Sequence, residues 1–165
     1  MPEYFEIYNE KNAPLGLAKR NICHGNPKLC HKTVHLIIFN NRGEILLQKR
    51  SLNKDIQPGK WDTAVGGHIN PGENIEEAVI REMNEELGIS LEKPLIFLFE
   101  LKERNSIESE NISVFSTFYN GNFAIQEEEL DEVKFWKIDE LKSELNSNSL
   151  TPLCKKELIK LFAEQ

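Results

Sequence analysis

Residues 67–89 read GHINPGENIEEAVIREMNEELGI, a glycine-containing loop that leads into the longest helical pattern of the chain. Between Asn74 and Leu87, apolar residues recur every three or four positions, so one face of the helix is predicted to pack on a sheet. Gly88 is predicted to end the helix, because glycine readily adopts the left-handed conformation after a last helical turn. A preceding strand is predicted close to Gly67.

The polar face of this helix carries a group of acidic side chains. Glu82, Glu85 and Glu86 stand at positions i, i+3 and i+4, so their carboxylates share one face. Each like-charge pair at this spacing costs about 0.2–0.5 kcal/mol, and a bound cation would remove that cost. Hard cations such as Mg²⁺ prefer carboxylate oxygens and share them with substrate phosphates. Taken alone, three glutamates at this spacing are more typical of a solvated acidic surface than of a metal site.

The spacing around the acidic group is more informative. Five residues separate Gly67 from Glu73, seven separate Glu73 from Arg81, and an unbroken run then ends at Ile89. This pattern resembles the Nudix box at every defining position. The resemblance implies a Nudix fold of the α+β class, a mixed β-sheet sandwiched between α-helices, as a single Nudix domain over residues 1–165.

The resemblance also implies roles for the residues of the box. Glu73 and Arg81 are expected to form a structural pair that ties the loop to the helix. The expected cofactor is Mg²⁺ or Mn²⁺. The expected metal ligands, which are also catalytic, are Glu82, Glu85 and Glu86, with the carbonyl of Gly67 as a further ligand.

The implied reaction is hydrolysis of a small-molecule diphosphate, such as a nucleoside diphosphate derivative, by attack of water on phosphorus. A box glutamate or a residue of a distal loop would take the proton from water. The acidic segment 126–132 is the predicted distal loop, with Glu129 as the first candidate and Glu128 as the second. A solvated surface loop is the alternative for this segment.

A second group of residues resembles one branch of the same superfamily, the type 1 isopentenyl-diphosphate isomerases. The matching metal-site positions are His24, His31, His68, Glu108 and Glu110. The matching diphosphate-binding positions are Arg20, Arg50 and Lys54.

Two departures favour hydrolysis over isomerisation. Gly66 stands where those isomerases carry a catalytic cysteine, and Glu82 is present where they carry a basic residue. An isomerase-like enzyme and a non-catalytic ligand-binding Nudix domain remain alternatives. Cys23 and Cys30 leave open a soft zinc site beside the histidines, and His35 is expected to be a packing or surface residue.

Three aromatic residues are candidates for stacking on a nucleoside base. Trp61 is the first choice because it lies close to the box, followed by Phe115 and Phe118. A position in the core is the alternative for each of them.

The composition sets the remaining expectations. The chain has 165 residues with 39% hydrophobic and 28% charged, which predicts one folded domain. A net charge of −7 disfavours binding to a nucleic acid polymer. The chain has no apolar run of about 20 residues and no signal-peptide pattern, so no membrane partner and a cytoplasmic location are expected. The three cysteines are expected to be free thiols, and the oligomeric state stays open.

Further strands and helices are predicted from alternation and helical spacing. The predicted strands lie at 4–8, 17–20, 33–39, 44–48, 61–65, 95–101, 112–119 and 133–136, and the predicted helices lie at 139–145 and 151–163.

Overall fold

A long strand rich in β-branched residues, β3 (Cys30–Phe39), forms the centre of the sheet in the computed structural model, which describes residues 2–164. The first and last residues of the predicted domain, 1–165, lie outside the described part. The strands are β1 (Tyr4–Tyr8), β2 (Pro14–Lys19), β3, β4 (Ile45–Arg50), β5 (Trp61–Thr63), β6 (Val65–His68), β7 (Ile96–Arg104), β8 (Ser109–Phe118) and β9 (Leu130–Trp136). The helices are α1 (Arg20–Cys23), α2 (Ile75–Leu87), α3 (Ile138–Glu144) and α4 (Pro152–Ala163).

The sheet contains both parallel and antiparallel pairs. β3 pairs antiparallel with β1, β4 and β6 and parallel with β8. β7 pairs with β8, and β4 also pairs with β5 and β9. Residues 34–38 are buried, as expected for a central strand that is covered on both faces.

Each face of the sheet has its own hydrophobic core. On one face, α2 contributes Ala78, Val79, Met83 and Leu87 to a cluster that includes Leu36 of β3. On the other face, residues of α3 and α4 pack around Ile37, the next residue along the strand. Neighbouring strand residues point to opposite faces, so both layers of helices are held by the same strand. The predicted mixed sheet between helices is therefore confirmed.

Helix α2 begins and ends where the sequence predicts. Asn74 caps its N-terminus, accepting a hydrogen bond from the backbone N–H of Glu77, whose side chain accepts one from the N–H of Asn74. Gly88 ends the helix in the left-handed conformation, with a φ of 64°.

The prediction was wrong in three places near the helix and the central strand. The strand predicted at 61–65 is two strands separated at Ala64, and the second includes Gly66 and Gly67. β3 begins at Cys30, three residues before the predicted start at Thr33. Residues 30–32 belong to the strand because they pair with β8, and residues 30 and 31 also pair with β1. The short helix α1 was not predicted. In the described part of the chain, no helix is both long and apolar enough to cross a bilayer.

Candidate active site

A polar cleft of about 600 Å³ opens where β3, β6 and α2 meet. It contains most of the residues that the sequence analysis selected, together with residues from the loops before β5 and β9. The selected residues that line it are Arg20, Arg50, Lys54, Gly67, His68, Arg81, Glu82, Glu85, Glu86, Glu110 and Glu129.

The close approach of α2 to β6 requires a glycine at position 67. A Cβ atom on Gly67 would lie 2.2 Å from Cδ of Glu82, which is closer than non-bonded atoms can come. The carboxylate of Glu82 therefore rests on the Gly67 backbone, in the space that a side chain would fill. This arrangement places a carboxylate and the Gly67 peptide side by side on the cleft wall.

Arg81 organises the acidic residues of the box. Its Nε donates a hydrogen bond to Oε2 of Glu73 over 2.8 Å, and its Nη2 donates to Oε1 over 3.0 Å. Nη1 of Arg81 lies 2.8 Å from Oε1 of Glu82 and 3.4 Å from Oε2 of Glu85. Nη2 also donates to the carbonyl oxygen of His68, which joins the helix to the end of β6.

Glu86 is the most enclosed of the three helix glutamates. Its carboxylate accepts a hydrogen bond from the N–H of Gly66 over 3.3 Å. Burial, reinforced by the charge of Glu82, raises the pKa of Glu86 to about 8. Burial also raises the pKa of Glu82. Unneutralised carboxylates in such surroundings are costly, and a cation would reduce that cost.

The distal acidic loop is tied to the end of α2. The N–H of Ala124 donates to the carbonyl of Leu87 over 2.9 Å, and the N–H of Gln126 donates to the carbonyl of Glu86 over 3.3 Å. Glu129 then lines the cleft and forms an ion pair with Lys54, from the loop before β5. Glu128 is exposed and does not line this cleft.

A second cluster lies at one end of the cleft, and the sheet register builds it. In the parallel pair β3 and β8, His31 stands opposite Glu110. β6 brings His68 opposite Thr33 of β3, and His24 caps the C-terminus of α1.

The four side chains converge closely enough to hold one metal ion. A ligand atom from each of His24, His31, His68 and Glu110 lies within 4.8 Å of the others. This is the one such group among residues 2–164, and it does not include the box glutamates. Nε2 of His24 and Nε2 of His68 are 3.3 Å apart, and Nε2 of His31 is 3.1 Å from Oε1 of Glu110.

The electrostatics of the cluster suit a cation. Burial lowers the pKa of His68 to about 3 and, together with the charge of His31, lowers that of His24, so both imidazoles are neutral at pH 7. Burial alone would raise the pKa of Glu110, but the hydrogen bond and charge of His31, together with the charges of His68 and His35, outweigh it and the pKa is lowered. Neutral imidazoles and an ionised carboxylate are the protonation states that metal ligands need.

Glu108, the fifth selected residue, lies at the edge of the cluster. One of its oxygens, Oε2, is 3.4 Å from Nε2 of His24. That oxygen is buried and has no hydrogen-bond partner in the described part of the chain. Such an orphaned oxygen fits an additional ligand for a cation.

The thiols do not take part in this cluster. Cys23 and Cys30 are buried free cysteines, and burial raises the pKa of both. The group of converging ligands among residues 2–164 contains neither sulfur. The structure therefore gives no support to a soft zinc site built on these cysteines.

The three predicted diphosphate-binding residues line the cleft, each beside a carboxylate. Arg20 pairs with Glu3 over 2.7 Å, and Nη1 of Arg50 lies 3.6 Å from Asp62. Lys54 pairs with Glu129.

The aromatic candidates lie elsewhere. Trp61 does not line this cleft and instead packs edge-on against Trp136, with ring centroids 5.2 Å apart. Phe115 is buried in the core on the α2 face, and Phe118 packs against Phe39 at the end of β8. These contacts match the alternative given for the three aromatic residues, in which they pack against other side chains of the protein and do not stack on a base.

A buried group on the cleft floor was not among the predicted site residues. His35 was expected to be a packing or surface residue, but it lines the cleft and bonds to Glu157 of α4. Asp62 and Gln48 also line the cleft. Strand alternation was the available signal for His35, because residues 31 and 35 of one strand point to the same face.

Comparisons with known proteins identify the family and the fold of the chain. Residues 30–155 match the family model described as the NUDIX domain. An uncharacterized Nudix hydrolase of Yersinia pestis is 34% identical over 141 residues, which cover 84% of this chain and 74% of the relative. An isopentenyl-diphosphate Delta-isomerase of Shigella boydii is 30% identical over 155 residues, covering 91% of this chain and 84% of that enzyme.

Among solved structures, a crystal structure from Deinococcus radiodurans superposes with a TM-score of 0.82. The alignment covers 96% of this chain and 98% of that one, at 18% sequence identity. At this identity the similarity establishes the shared fold.

Proposed function

The chain belongs to the NUDIX family, and from that premise we propose that it is a metal-dependent hydrolase that cleaves a diphosphate linkage by attack of water on phosphorus. The observation that carries the proposal is the intact acidic group of α2, with Glu82 resting on Gly67 and Glu86 bonded to Gly66. A relative described as a Nudix hydrolase is 34% identical, which supports the same class of activity.

The residues proposed to hold Mg²⁺ or Mn²⁺ are Glu82, Glu85, Glu86 and the carbonyl of Gly67. Their oxygen donors match the ligands that hard cations prefer. Burial raises the pKa of Glu86, and a bound cation would stabilise its ionised form. Arg81 contacts Glu82 and Glu85 and makes two hydrogen bonds with Glu73. A bound divalent cation supplies charge neutralisation and increases the acidity of water.

The proton of the attacking water needs an acceptor within hydrogen-bond reach. We assign that role to a carboxylate of the box or to Glu129, which lines the same cleft. Lys54 pairs with Glu129 and would orient its carboxylate. Glu73 and Arg81 are assigned a structural role, because they bond to each other and to the loop backbone, and Arg81 also contacts the side chains of Glu82 and Glu85.

The substrate is proposed to be a small molecule, a nucleoside diphosphate derivative or a similar organic diphosphate. Arg20, Arg50 and Lys54 are suitably placed around the cleft to contact phosphate oxygens. Each already neighbours a carboxylate, so the substrate phosphates would share these cations with Glu3, Asp62 and Glu129. Trp61 is not assigned to substrate binding, because it does not line the cleft.

Isomerase-like activity is the second candidate function, and one observation favours it. The side chains of His24, His31, His68 and Glu110 converge as a metal site would require, and a relative 30% identical is an isopentenyl-diphosphate Delta-isomerase. Gly66 opposes this function, because a position occupied by glycine offers no group for proton transfer. A non-catalytic ligand-binding domain is the third candidate.

The test compares wild-type protein with Glu85→Gln and Glu86→Gln in a metal-dependent hydrolysis assay. Both substitutions keep the size of the side chain and remove its charge. Glu76→Gln on the first turn of the same helix is the control, because Glu76 does not line this cleft. Hydrolysis should fall about a hundredfold or more in the first two variants and stay unchanged in the control. Near wild-type turnover in Glu85→Gln and Glu86→Gln would reject the assignment.

A further inference from the structure

A buried pair of side chains connects α4 to the floor of the cleft. Nδ1 of His35 lies 2.6 Å from Oε2 of Glu157, and the hydroxyl of Thr63 donates to Oε1 of Glu157 over 3.0 Å. Only 1% of the Glu157 side chain is exposed, so this carboxylate belongs to the protein interior. Both of its oxygens are hydrogen-bonded, and it is held firmly in place.

The arrangement determines which ring nitrogen of His35 is available. A carboxylate oxygen can only accept a hydrogen bond, so Nδ1 must carry the proton that is donated to Glu157. Nε2 lies on the other side of the ring, and it has no hydrogen-bond partner among residues 2–164. The His35 side chain keeps 11% of its surface exposed and lines the cleft.

Gly66 leaves this edge of the imidazole uncovered. A Cβ atom on Gly66 would lie 3.2 Å from Nε2 and 3.2 Å from Cδ2 of His35, so a side chain there would crowd the ring. Gly66 itself lines the cleft, and its N–H donates to Glu86. The free edge of His35 therefore faces the part of the cleft beside Glu86 and the other carboxylates of α2.

A purely structural explanation for the pair is weak. Burying a carboxylate and an imidazole costs desolvation energy, and apolar residues of similar size often fill such positions at no loss of stability. The pair also stands apart from the other basic groups of the cleft. Arg50 and Lys54 extend from the strand end and loop at its rim, whereas His35 comes from the central strand below them.

We propose that His35 is a substrate-contacting residue of the hydrolase, whose Nε2–H donates a hydrogen bond to a phosphate oxygen of the bound diphosphate. Glu157 acts as its positioning residue, fixing the ring and stabilising its positive charge. This inference rests on the proposed hydrolase function. It adds a hydrogen-bond donor on the cleft floor, close to the carboxylates of α2.

The charge of the ring supports this role. Burial alone would lower the pKa of His35, but the charge and hydrogen bond of Glu157 are stronger and the pKa is raised. A protonated imidazole presents a donor at both nitrogens, and donors with a full charge form the stronger hydrogen bonds to phosphate. Both ends of the ring are then satisfied when a phosphate occupies the cleft.

Two substitutions of His35 separate the proposed role from a structural one. Asparagine can keep a donor near the Nδ1 position, toward Glu157, but it has no donor near Nε2. Glutamine can keep a neutral donor near the Nε2 position and loses the contact with Glu157. A structural role predicts that His35→Asn is the milder change, whereas contact with phosphate predicts that it removes binding.

The measurements are the affinity for methylenediphosphonate, which is not hydrolysed, and kcat/KM on a diphosphate substrate, both with Mg²⁺. His35→Asn is expected to lower each by roughly tenfold to a hundredfold, more than His35→Gln does. Leu158→Ala is the control, because this core residue follows Glu157 on α4 without lining the cleft. It should reduce the melting temperature and leave both constants of the folded protein unchanged.

Nitrogen NMR of the imidazole provides a signal that a structural role would not change. The Nε2 resonance of His35 is assigned by its absence from the spectrum of His35→Asn. In the wild type, addition of methylenediphosphonate should shift this resonance. Wild-type binding and turnover in His35→Asn, or an unmoved Nε2 resonance with saturating methylenediphosphonate, would overturn the proposal. If the wild type hydrolyses no diphosphate, the proposed function fails, and the binding comparison still decides the role of His35. A wild type that does not bind methylenediphosphonate would overturn the inference.

Discussion

Arg81 donates two hydrogen bonds to Glu73, from Nε over 2.8 Å and from Nη2 over 3.0 Å. The two residues connect the middle of α2 to the loop that enters it, and the same guanidinium reaches the carbonyl of His68. The strength of this interaction is visible in Glu73, whose pKa is lowered chiefly by its hydrogen bond with Arg81. The loop and the helix therefore form one unit.

Arg81→Ala should lower both stability and activity. Glu73 would lose its partner while its side chain is 14% exposed, so a loss of about 1–3 kcal/mol in the free energy of unfolding is expected. Chemical denaturation measures this loss. Arg42→Ala, in the exposed turn between β3 and β4, serves as the control and should melt like the wild type. An Arg81→Ala protein with unchanged stability would count against the structural role.

The histidine cluster makes a separate prediction about metal binding. Added Zn²⁺ or Mn²⁺ should raise the melting temperature of the wild type, since a ligand that binds only the folded state stabilises it. The double variant His24→Ala, His31→Ala should lose the part of this increase that the cluster contributes. Glu85→Gln, in which the cluster is intact, should keep it. An equal increase in the wild type and the double variant would show that the cluster does not bind these ions.

The distal loop can be tested with two neighbouring glutamates. Glu129→Gln should reduce hydrolysis by roughly a hundredfold if Glu129 is the proton acceptor. Glu128→Gln should have little effect, because Glu128 is exposed outside the cleft. Steady-state rates at saturating Mg²⁺ measure both. Equal activities of the two variants would remove Glu129 from the mechanism.

The pair of His35 and Glu157 should make stability depend on pH. Burial alone would lower the pKa of His35, but the charge and hydrogen bond of Glu157, with smaller contributions from Asp62 and Glu110, raise it from 6.5 to about 9. A raised pKa contributes stability that is fully present below pH 6.5 and is lost as the pH rises through 9. The difference in unfolding free energy between wild type and His35→Asn should therefore be constant below pH 6.5 and shrink toward pH 9. A difference that does not change with pH would mean that His35 is not charged.

The helix of the box and its caps were predictable because their determinants are local. Helical spacing, the Asn74 cap and Gly88 all act within a few residues, and α2 has the predicted limits. The residues of the acidic wall were also found in this way. For the sheet around them, only the general type, a mixed sheet, was predicted. Alternation identifies strands but does not identify which strands pair with each other.

The contacts that depend on distant parts of the chain were not predictable in the same way. His35 and Glu157 are 122 residues apart, and no local pattern connects a strand residue to one on the last helix. The parallel pairing that places His31 opposite Glu110 is also non-local. For Trp61, nearness to the box in sequence did not predict nearness to the cleft, because its ring packs against Trp136.

The most direct test is a screen of the purified protein, with Mg²⁺ or Mn²⁺, against nucleoside diphosphate derivatives and isopentenyl diphosphate. Chromatography of the phosphate-containing products distinguishes cleavage from rearrangement. We predict metal-dependent cleavage of a diphosphate linkage that is lost in Glu85→Gln. Conversion of isopentenyl diphosphate to its allylic isomer without cleavage would contradict the hydrolase function.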